Sequence, residues 1–230
     1  MIFLKFLLFI WGACWSSFIT TMSWRYLTQC HPNYSSSRSI CDYCEQKIKI
    51  ILLVPILGFL IQGGNCKICH NKINPIWTIF EFINGLIWML IPLCNLTDYL
   101  LFLVIDCCLL ALCVQDWFDQ RVSCLLFIGL VPLHWLAIVP SFNIITFIWV
   151  IILCLGYFVD SIGNGDIDFI VITTLLIGPT ICMRAVAIAC FLGLVYAYLL
   201  KQRTLPFIPF LSWGLAISLI LQEHSSFIWF

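Results

Sequence analysis

The chain alternates between long apolar stretches and short polar connections. A helix needs about 20 residues to cross a bilayer, and eight stretches approach that length, at roughly 2–22, 75–93, 99–115, 122–140, 144–160, 167–182, 185–200 and 207–222. The run from 167 to 200 is continuous, and we divide it near Gly178-Pro179. The pattern predicts an all-α polytopic membrane protein with about eight transmembrane helices.

Composition supports this prediction and excludes a soluble globular domain. Of the 230 residues, 63% are hydrophobic and 10% are charged, whereas soluble domains are about half apolar and about a quarter charged. The net charge is zero, so we expect the lipid bilayer as a partner and no nucleic acid. The 14 cysteines lie mostly in apolar stretches, where cysteine behaves as a small hydrophobic residue.

One long polar segment, residues 23–72, sets the predicted orientation. It carries six of the eleven basic residues, and loops rich in lysine and arginine stay in the cytoplasm. The first helix then starts outside the cell. Counting helices from this loop places Asp116 and Asp166 at the cytoplasmic side of the membrane.

The same loop contains two Cys-x-x-Cys pairs, Cys41/Cys44 and Cys66/Cys69. Two thiolates on each of two tight turns give the four ligands of a structural zinc site. A disulfide is not expected in the reducing cytoplasm. The alternative is that two such pairs occur by chance in a cysteine-rich chain.

Between the two cysteine pairs, residues 48–62 are apolar but are interrupted by Pro55 and Gly58. We expect this segment to lie against the membrane surface or to pack under the metal site. Farther on, Glu81 enters the next predicted helix about one turn from its cytoplasmic end. It is either an interfacial acid or a residue that faces a site.

Two groups of carboxylates lie at predicted helix ends. Asp116 is followed by Asp119, and Gly163-Asn-Gly165 directly precedes Asp166. Acids in membrane segments are energetically costly, so their presence there points to a function. Two adjacent carboxyls share a proton, because both cannot ionise at once. We predict Asp116 and Asp166 as a catalytic pair, with Gly163 and Gly165 allowing close approach of a substrate backbone. Asp119 is the rival for the first position, Asp160 and Asp168 are rivals for the second, and Asp106 is expected to be structural.

Several short motifs occur in an order that resembles the type IV prepilin peptidases, membrane enzymes of the GxGD aspartic protease class. The chain looks most like the compact Gram-positive competence-type members. The matching positions are Ser17-Phe18 with Arg25, Ser39 through Cys44, Val54-Pro55 with Gly64 and Cys66–Cys69, Ile73-Asn74 with Glu81, Asp116 through Ser123, Gly163–Asp166, and Pro206-Phe207 through Gly214. The chain departs from the family pattern at Ser123, where the family has proline.

The resemblance implies a function and a place in the cell. The enzyme would sit in a bacterial cell membrane and remove the leader of type IV pilin-like or competence pseudopilin precursors at the cytoplasmic face. The resemblance also implies transfer of a methyl group from S-adenosylmethionine to the new amino terminus, with Glu81 as the candidate residue for that step. Residues 1–93 would form the methyltransferase-like region, and residues 94–230 would form a six-helix peptidase region.

Two other functions fit the same carboxylates. Intramembrane acids and broken helices also mark ion-coupled transporters, but the chain has no convincing repeated halves. A scaffold of a pilus or competence assembly machine that has lost cleavage is the other alternative. Substitution of the two aspartates distinguishes the three, because only a peptidase would lose cleavage.

Overall fold

A computed structural model describes residues 2–28, 39–41, 43–91, 95–136, 144–156, 163–201 and 205–226. The helices are α1 Ile2–Thr28, α2 Leu57–Gln62, α3 Ile76–Leu90, α4 Leu96–Asp119, α5 Leu125–Ile128, α6 Leu133–Leu136, α7 Ile144–Gly156, α8 Asn164–Ile177, α9 Pro179–Leu200 and α10 Ile208–Ser226. A 3₁₀ turn, Ile50–Leu53, precedes α2. Among the described residues, β pairing is limited to two isolated bridges. The prediction of an all-helical chain is therefore confirmed.

The chain divides into two compact units, Met1–Leu90 and Ile91–Phe230. In the first unit, α1 packs against α3 through small residues. A Cβ on Gly12 would come within 2.7 Å of Trp88, and one on Gly85 within 2.8 Å of Phe9. The Asn84 side chain donates a hydrogen bond to the Gly12 carbonyl at 3.1 Å. Glycines let two membrane helices approach closely, and the hydrogen bond from the Asn84 side chain then fixes their register.

In the second unit, α10 is the central packing element and contacts α4, α8 and α9. Its Gly214 lies so close to the Ala185 carbonyl of α9 that a Cβ would overlap it. The face of α10 buried by these contacts includes Ile208, Phe210, Leu211 and Leu215. This packing brings the start of α10 beside the end of α4.

The predicted count of eight spans is not confirmed. Within the part of the chain that the structure describes, three helices are long and apolar enough to cross a bilayer, namely α1, α4 and α9, while α3 and the apolar part of α10 are shorter. The described part of α7 has 13 residues, which corresponds to a length of about 20 Å against an apolar bilayer core of about 30 Å. The predicted span 144–160 runs on into residues outside the described part.

The predicted span 122–140 is not one continuous helix where the structure describes it. It contains the two one-turn helices α5 and α6, separated by a turn that includes Gly129 and Pro132. Proline lacks the N–H that a continuing helix needs. A Cβ on Gly129 would overlap the Cys108 sulfur of α4. The chain therefore turns back along α4 within a stretch for which hydropathy alone predicts one continuous helix.

The long apolar run after residue 166 is divided at Gly178, so that α9 starts at Pro179 and not at the predicted residue 185. Gly178 has φ +87° and ψ 160°, a conformation that is essentially restricted to glycine. Proline suits the first position of the following helix because its missing N–H would have no helical partner there.

We expect Gly178→Ala to destabilise the protein by about 1–3 kcal/mol, since a Cβ makes this backbone conformation strained. Thermal unfolding in detergent measures the effect. Met183→Ala, at an exposed position of α9, the helix that follows Gly178, is the control and should change the melting temperature little. Equal melting temperatures for the two variants would contradict the assignment of a strained break at Gly178.

Candidate active site and metal centre

Asp116 lies one turn before the end of α4 and is buried. Its Oδ2 accepts a hydrogen bond from the backbone N–H of Ile208 at 3.0 Å, and the backbone amide of Phe207 also interacts with this carboxyl. Both amides belong to the start of α10, just after Pro206. The first residues of a helix have N–H groups without a helical acceptor, so this helix end supplies donors to the acid.

Asp166 lies in the first turn of α8, directly after the two glycines. Its backbone N–H donates to the Gly163 carbonyl at 3.0 Å. The positive end of the helix dipole favours a negative charge at this position. The Asp166 carboxyl also lies close enough to Asp116 to interact with it electrostatically. The fold thus brings together two acids that are fifty positions apart in the chain.

The two glycines before Asp166 occupy crowded positions. A Cβ on Gly165 would lie 3.0 Å from Val122 Cγ2, and a Cβ on Gly163 would lie 3.0 Å from the Asp166 carboxylate. These separations are shorter than ordinary van der Waals contacts between heavy atoms, which optimally lie about 3.5–4.0 Å apart. Glycine therefore lets the loop after α4 and the start of α8 approach each other beside the acids.

Gln115 supports this site and was not singled out by the sequence analysis. Its Oε1 accepts a hydrogen bond from the Ser123 backbone N–H at 2.9 Å, and the Gln115 side chain is buried. Proline at position 123 would have no N–H to satisfy, whereas serine has one. A glutamine inside an apolar helix, next to an acid, is the signal in the sequence that points to such a bond.

The other predicted carboxylates lie in different environments. Asp119 is exposed at the last position of α4, Asp168 is half-buried in α8, and Asp106 is buried in the middle of α4. Asp160 lies outside the described residues. The contact with the start of α10 thus distinguishes Asp116 from its rival Asp119.

In the first unit, Glu81 is a second buried carboxylate with a distant backbone donor. Its Oε2 accepts the Ile56 N–H at 2.7 Å, and the Ser17 hydroxyl also hydrogen-bonds to it. Ile56 has φ +62° and ψ −55°, which is a rare conformation for a β-branched residue and is found mainly where the surroundings impose it. The carboxyl therefore joins α1, α3 and the loop between the cysteine pairs.

The four predicted metal ligands form one cluster. The sulfurs of Cys41, Cys44, Cys66 and Cys69 all lie within 4.8 Å of one another. The Cys41–Cys69 sulfur separation is 3.8 Å, far beyond a disulfide bond of about 2.05 Å. A tetrahedral ion with metal–sulfur bonds of about 2.3 Å would have its sulfurs about 3.8 Å apart. The cluster therefore fits a four-coordinate metal ion, with no ligand position left open.

The two Cys-x-x-Cys turns share the same backbone hydrogen bond and the same left-handed residue. Cys41 N–H donates to the Gln46 carbonyl and Cys66 N–H to the Asn71 carbonyl, at 3.0 and 2.9 Å. The residue after each second cysteine, Glu45 or His70, is left-handed, with φ of 55° and 57°. Backbone N–H groups of Cys69 and Ile68 lower the pKa of the Cys66 thiol to about 6. These two amides thus stabilise the thiolate form of Cys66, which is the form that binds metals.

Comparison with known proteins gives three similarities. The family model described as "Bacterial Peptidase A24 N-terminal domain" matches residues 10–94. The "Type 4 prepilin-like proteins leader peptide-processing enzyme" of Escherichia coli O78:H11 is 27% identical, over 92% of this chain and 91% of that protein. The "Prepilin leader peptidase/N-methyltransferase" of Bacillus subtilis is 33% identical, over 34% of this chain and 31% of that protein.

No solved structure matches the chain significantly. The domain match covers the first unit with the four cysteines and Glu81, and the Escherichia coli protein aligns along nearly the whole chain, including the second unit. These similarities confirm the resemblance of the chain to the type IV prepilin peptidases that the motifs indicated.

Proposed function

We propose that the chain is a membrane aspartic endopeptidase that removes the short basic leader of type IV pilin-like precursors at the cytoplasmic membrane face. The observation that supports this proposal is the electrostatic interaction between Asp116, near the end of α4, and Asp166, in the first turn of α8. The processing of prepilin-like proteins named for the Escherichia coli relative supports the substrate class.

Peptide hydrolysis requires one group that takes a proton from water and another that gives a proton to the leaving nitrogen. Two neighbouring carboxyls supply both, because their mutual repulsion keeps one proton on the pair. The ionised carboxyl removes a proton from water, and the resulting hydroxide adds to the peptide carbonyl. The protonated carboxyl then protonates the nitrogen as the C–N bond breaks, which leaves the pair with one proton again.

The Ile208 N–H holds one oxygen of Asp116, so the carboxyl is oriented before the substrate arrives. Preorganised groups of this kind cost no rearrangement during the reaction. The proposed precursor carries an apolar helix behind its leader, and it would reach the pair by lateral movement in the bilayer. The helix must unwind locally at the cleavage point so that its peptide bond can reach the two carboxyls.

We assign residues 1–93 to the family's second reaction, methylation of the new amino terminus, and residues 94–230 to cleavage. Glu81 is the candidate residue for methyl transfer, and S-adenosylmethionine would be the methyl donor. The combined name of the Bacillus subtilis relative supports this assignment. The contacts of the Glu81 carboxyl with Ile56 and Ser17 would also be expected of a purely structural residue. A test of the assignment must therefore measure methylation and cleavage separately.

We assign the cysteine cluster to structural zinc. Four thiolates in tetrahedral arrangement are the ligand set of such sites and leave no position for substrate or water. Zinc would join the two halves of the loop at Cys41/Cys44 and Cys66/Cys69, and in this way it would set the position of the segment between them.

Co-expression with a pilin-like or competence pseudopilin precursor, followed by intact-mass analysis, tests the proposed function. We expect a product that lacks the leader and is heavier by one methyl group. A shortened product without the methyl group would overturn the methyl-transfer assignment alone. A precursor that remains intact across several candidates would contradict the peptidase and favour the ion-coupled transporter or the scaffold.

We expect about one zinc ion per chain in the purified protein, from the coordination number of four. Cys41→Ser and Cys66→Ser should each lower the zinc content measured by elemental mass spectrometry, because either leaves only three thiolates. Cys190→Ser, at an exposed position of α9, is the matched control and should retain zinc. Zinc-free wild-type protein with disulfides in the loop would contradict the assignment.

We expect Glu81→Gln to give a precursor that is cleaved but not methylated, because the substitution keeps the side-chain volume and removes the charge. Intact mass reports both reactions on one product. Glu45→Gln, at an exposed position of the loop that carries the cysteine pairs, is the control and should process and methylate normally. Full methylation by the Glu81→Gln enzyme would assign this residue a purely structural role.

A further inference from the structure

The segment between the cysteine pairs, residues 50–62, has an apolar face that the protein does not cover. No residue of the 3₁₀ turn Ile50–Leu53 is buried, and in α2 only Gly58 is buried. Ile51 is 69% exposed and Leu60 is 64% exposed. The other exposed apolar side chains of this face are Ile50, Val54, Leu57 and Ile61. Exposing an apolar patch of this kind to water is energetically unfavourable, so such a patch usually marks a surface that contacts another protein or a membrane.

The segment is folded and is not merely a loose loop. Gly58 packs against the Leu52 carbonyl so closely that a Cβ would overlap it. The Gln62 side chain donates to the Gly58 carbonyl at 3.0 Å. These contacts lie within the segment and satisfy polar groups there. They leave the exposed face almost wholly apolar.

The contacts of Ile56 fix the depth of the segment relative to the membrane helices. Its N–H donates to Glu81, one helical turn beyond Trp77 in α3. Trp77 stacks edge-on against Trp24 of α1, with ring centroids 5.9 Å apart. Tryptophans gather where a bilayer meets water, so this pair marks the interface. The Ile56 bond therefore places segment 50–62 at the level of the interface, next to α1, which is long and apolar enough to cross the membrane.

Charge around the segment suits a bilayer surface. Lys47 and Lys49 precede it, Lys67 and Lys72 follow it, and all four side chains are exposed. Basic residues beside an apolar interfacial segment attract anionic lipid headgroups, with a contribution of about 1 kcal/mol for each residue. An apolar face with basic flanks is the pattern of segments that lie in the plane of the membrane interface.

We propose that residues 50–62 are embedded in the cytoplasmic leaflet, with Ile51, Leu57 and Leu60 among the acyl chains and the four lysines at anionic headgroups. The segment is then a lipid-binding surface of the first unit. It is held in place by the Ile56–Glu81 hydrogen bond and by the cysteine cluster on both sides. The proposal depends on the membrane helices of this unit and is independent of the peptidase and methyl-transfer reactions.

Photocrosslinking of the full-length protein in lipid nanodiscs tests the proposal. The photoreactive amino acid benzoylphenylalanine replaces Leu60 in one variant and Ile51 in another, and it replaces the exposed Asn71 in the control. The nanodiscs contain equal parts of phosphatidylglycerol and phosphatidylcholine. After illumination, we expect the intact mass at positions 60 and 51 to increase by one phospholipid, with several-fold less adduct at position 71. Retained metal content shows that the loop is folded in each variant.

No lipid adduct at either apolar position, in variants that retain metal, would overturn the proposal. Crosslinks to a second copy of the chain would also overturn it and assign the face to a protein interface. The charge component has its own test in nanodiscs of phosphatidylcholine alone, where the adduct yield at position 60 should fall at least two-fold. An unchanged yield would overturn the role of the lysines.

Discussion

A carboxylate in or near a membrane must have partners, and the described structure gives Asp116 a partner from far along the chain. The Ile208 N–H that binds it lies 92 residues away in sequence. Such a bond requires α4 and α10 to pack side by side, and it uses an amide that the start of a helix would otherwise leave unsatisfied. The position of Asp166 depends on the same packing, because a Cβ on the neighbouring Gly165 would contact both Val122, in the loop after α4, and Ile208, at the start of α10.

Glu81 follows the same physical rule within the first unit. It too is a helix carboxylate that receives an N–H from a distant residue, Ile56, which directly follows a proline. Burial of an acid is tolerated where fixed donors replace the lost water. A rigid proline-containing segment can supply such a donor at low entropic cost. Both candidate reactions of the protein are thus associated with acids that are oriented by backbone amides.

The candidate site residues could be singled out from the sequence, whereas the groups that contact them could be predicted only in part. The cysteine pairs and the acids at apolar boundaries stand out because their residue types are unusual in such surroundings. The bonds from Ile208 and Ile56 were not predictable, since a backbone amide leaves no mark in the sequence. The span predicted at 122–140 failed because hydropathy does not register the turn at Gly129 and Pro132. The break at Gly178 was found because glycine and proline occur together there.

The most direct test of the carboxyl pair is the cleavage rate of a pilin-like precursor by four variants reconstituted in membranes. We expect Asp116→Asn and Asp166→Asn each to abolish cleavage without loss of folded protein, because an amide can neither accept nor hold the shared proton. Asp119→Asn and Asp168→Asn should retain cleavage close to that of the wild type. Cleavage that survives substitution of Asp116 or Asp166, or that is lost with Asp119 instead, would contradict the pair.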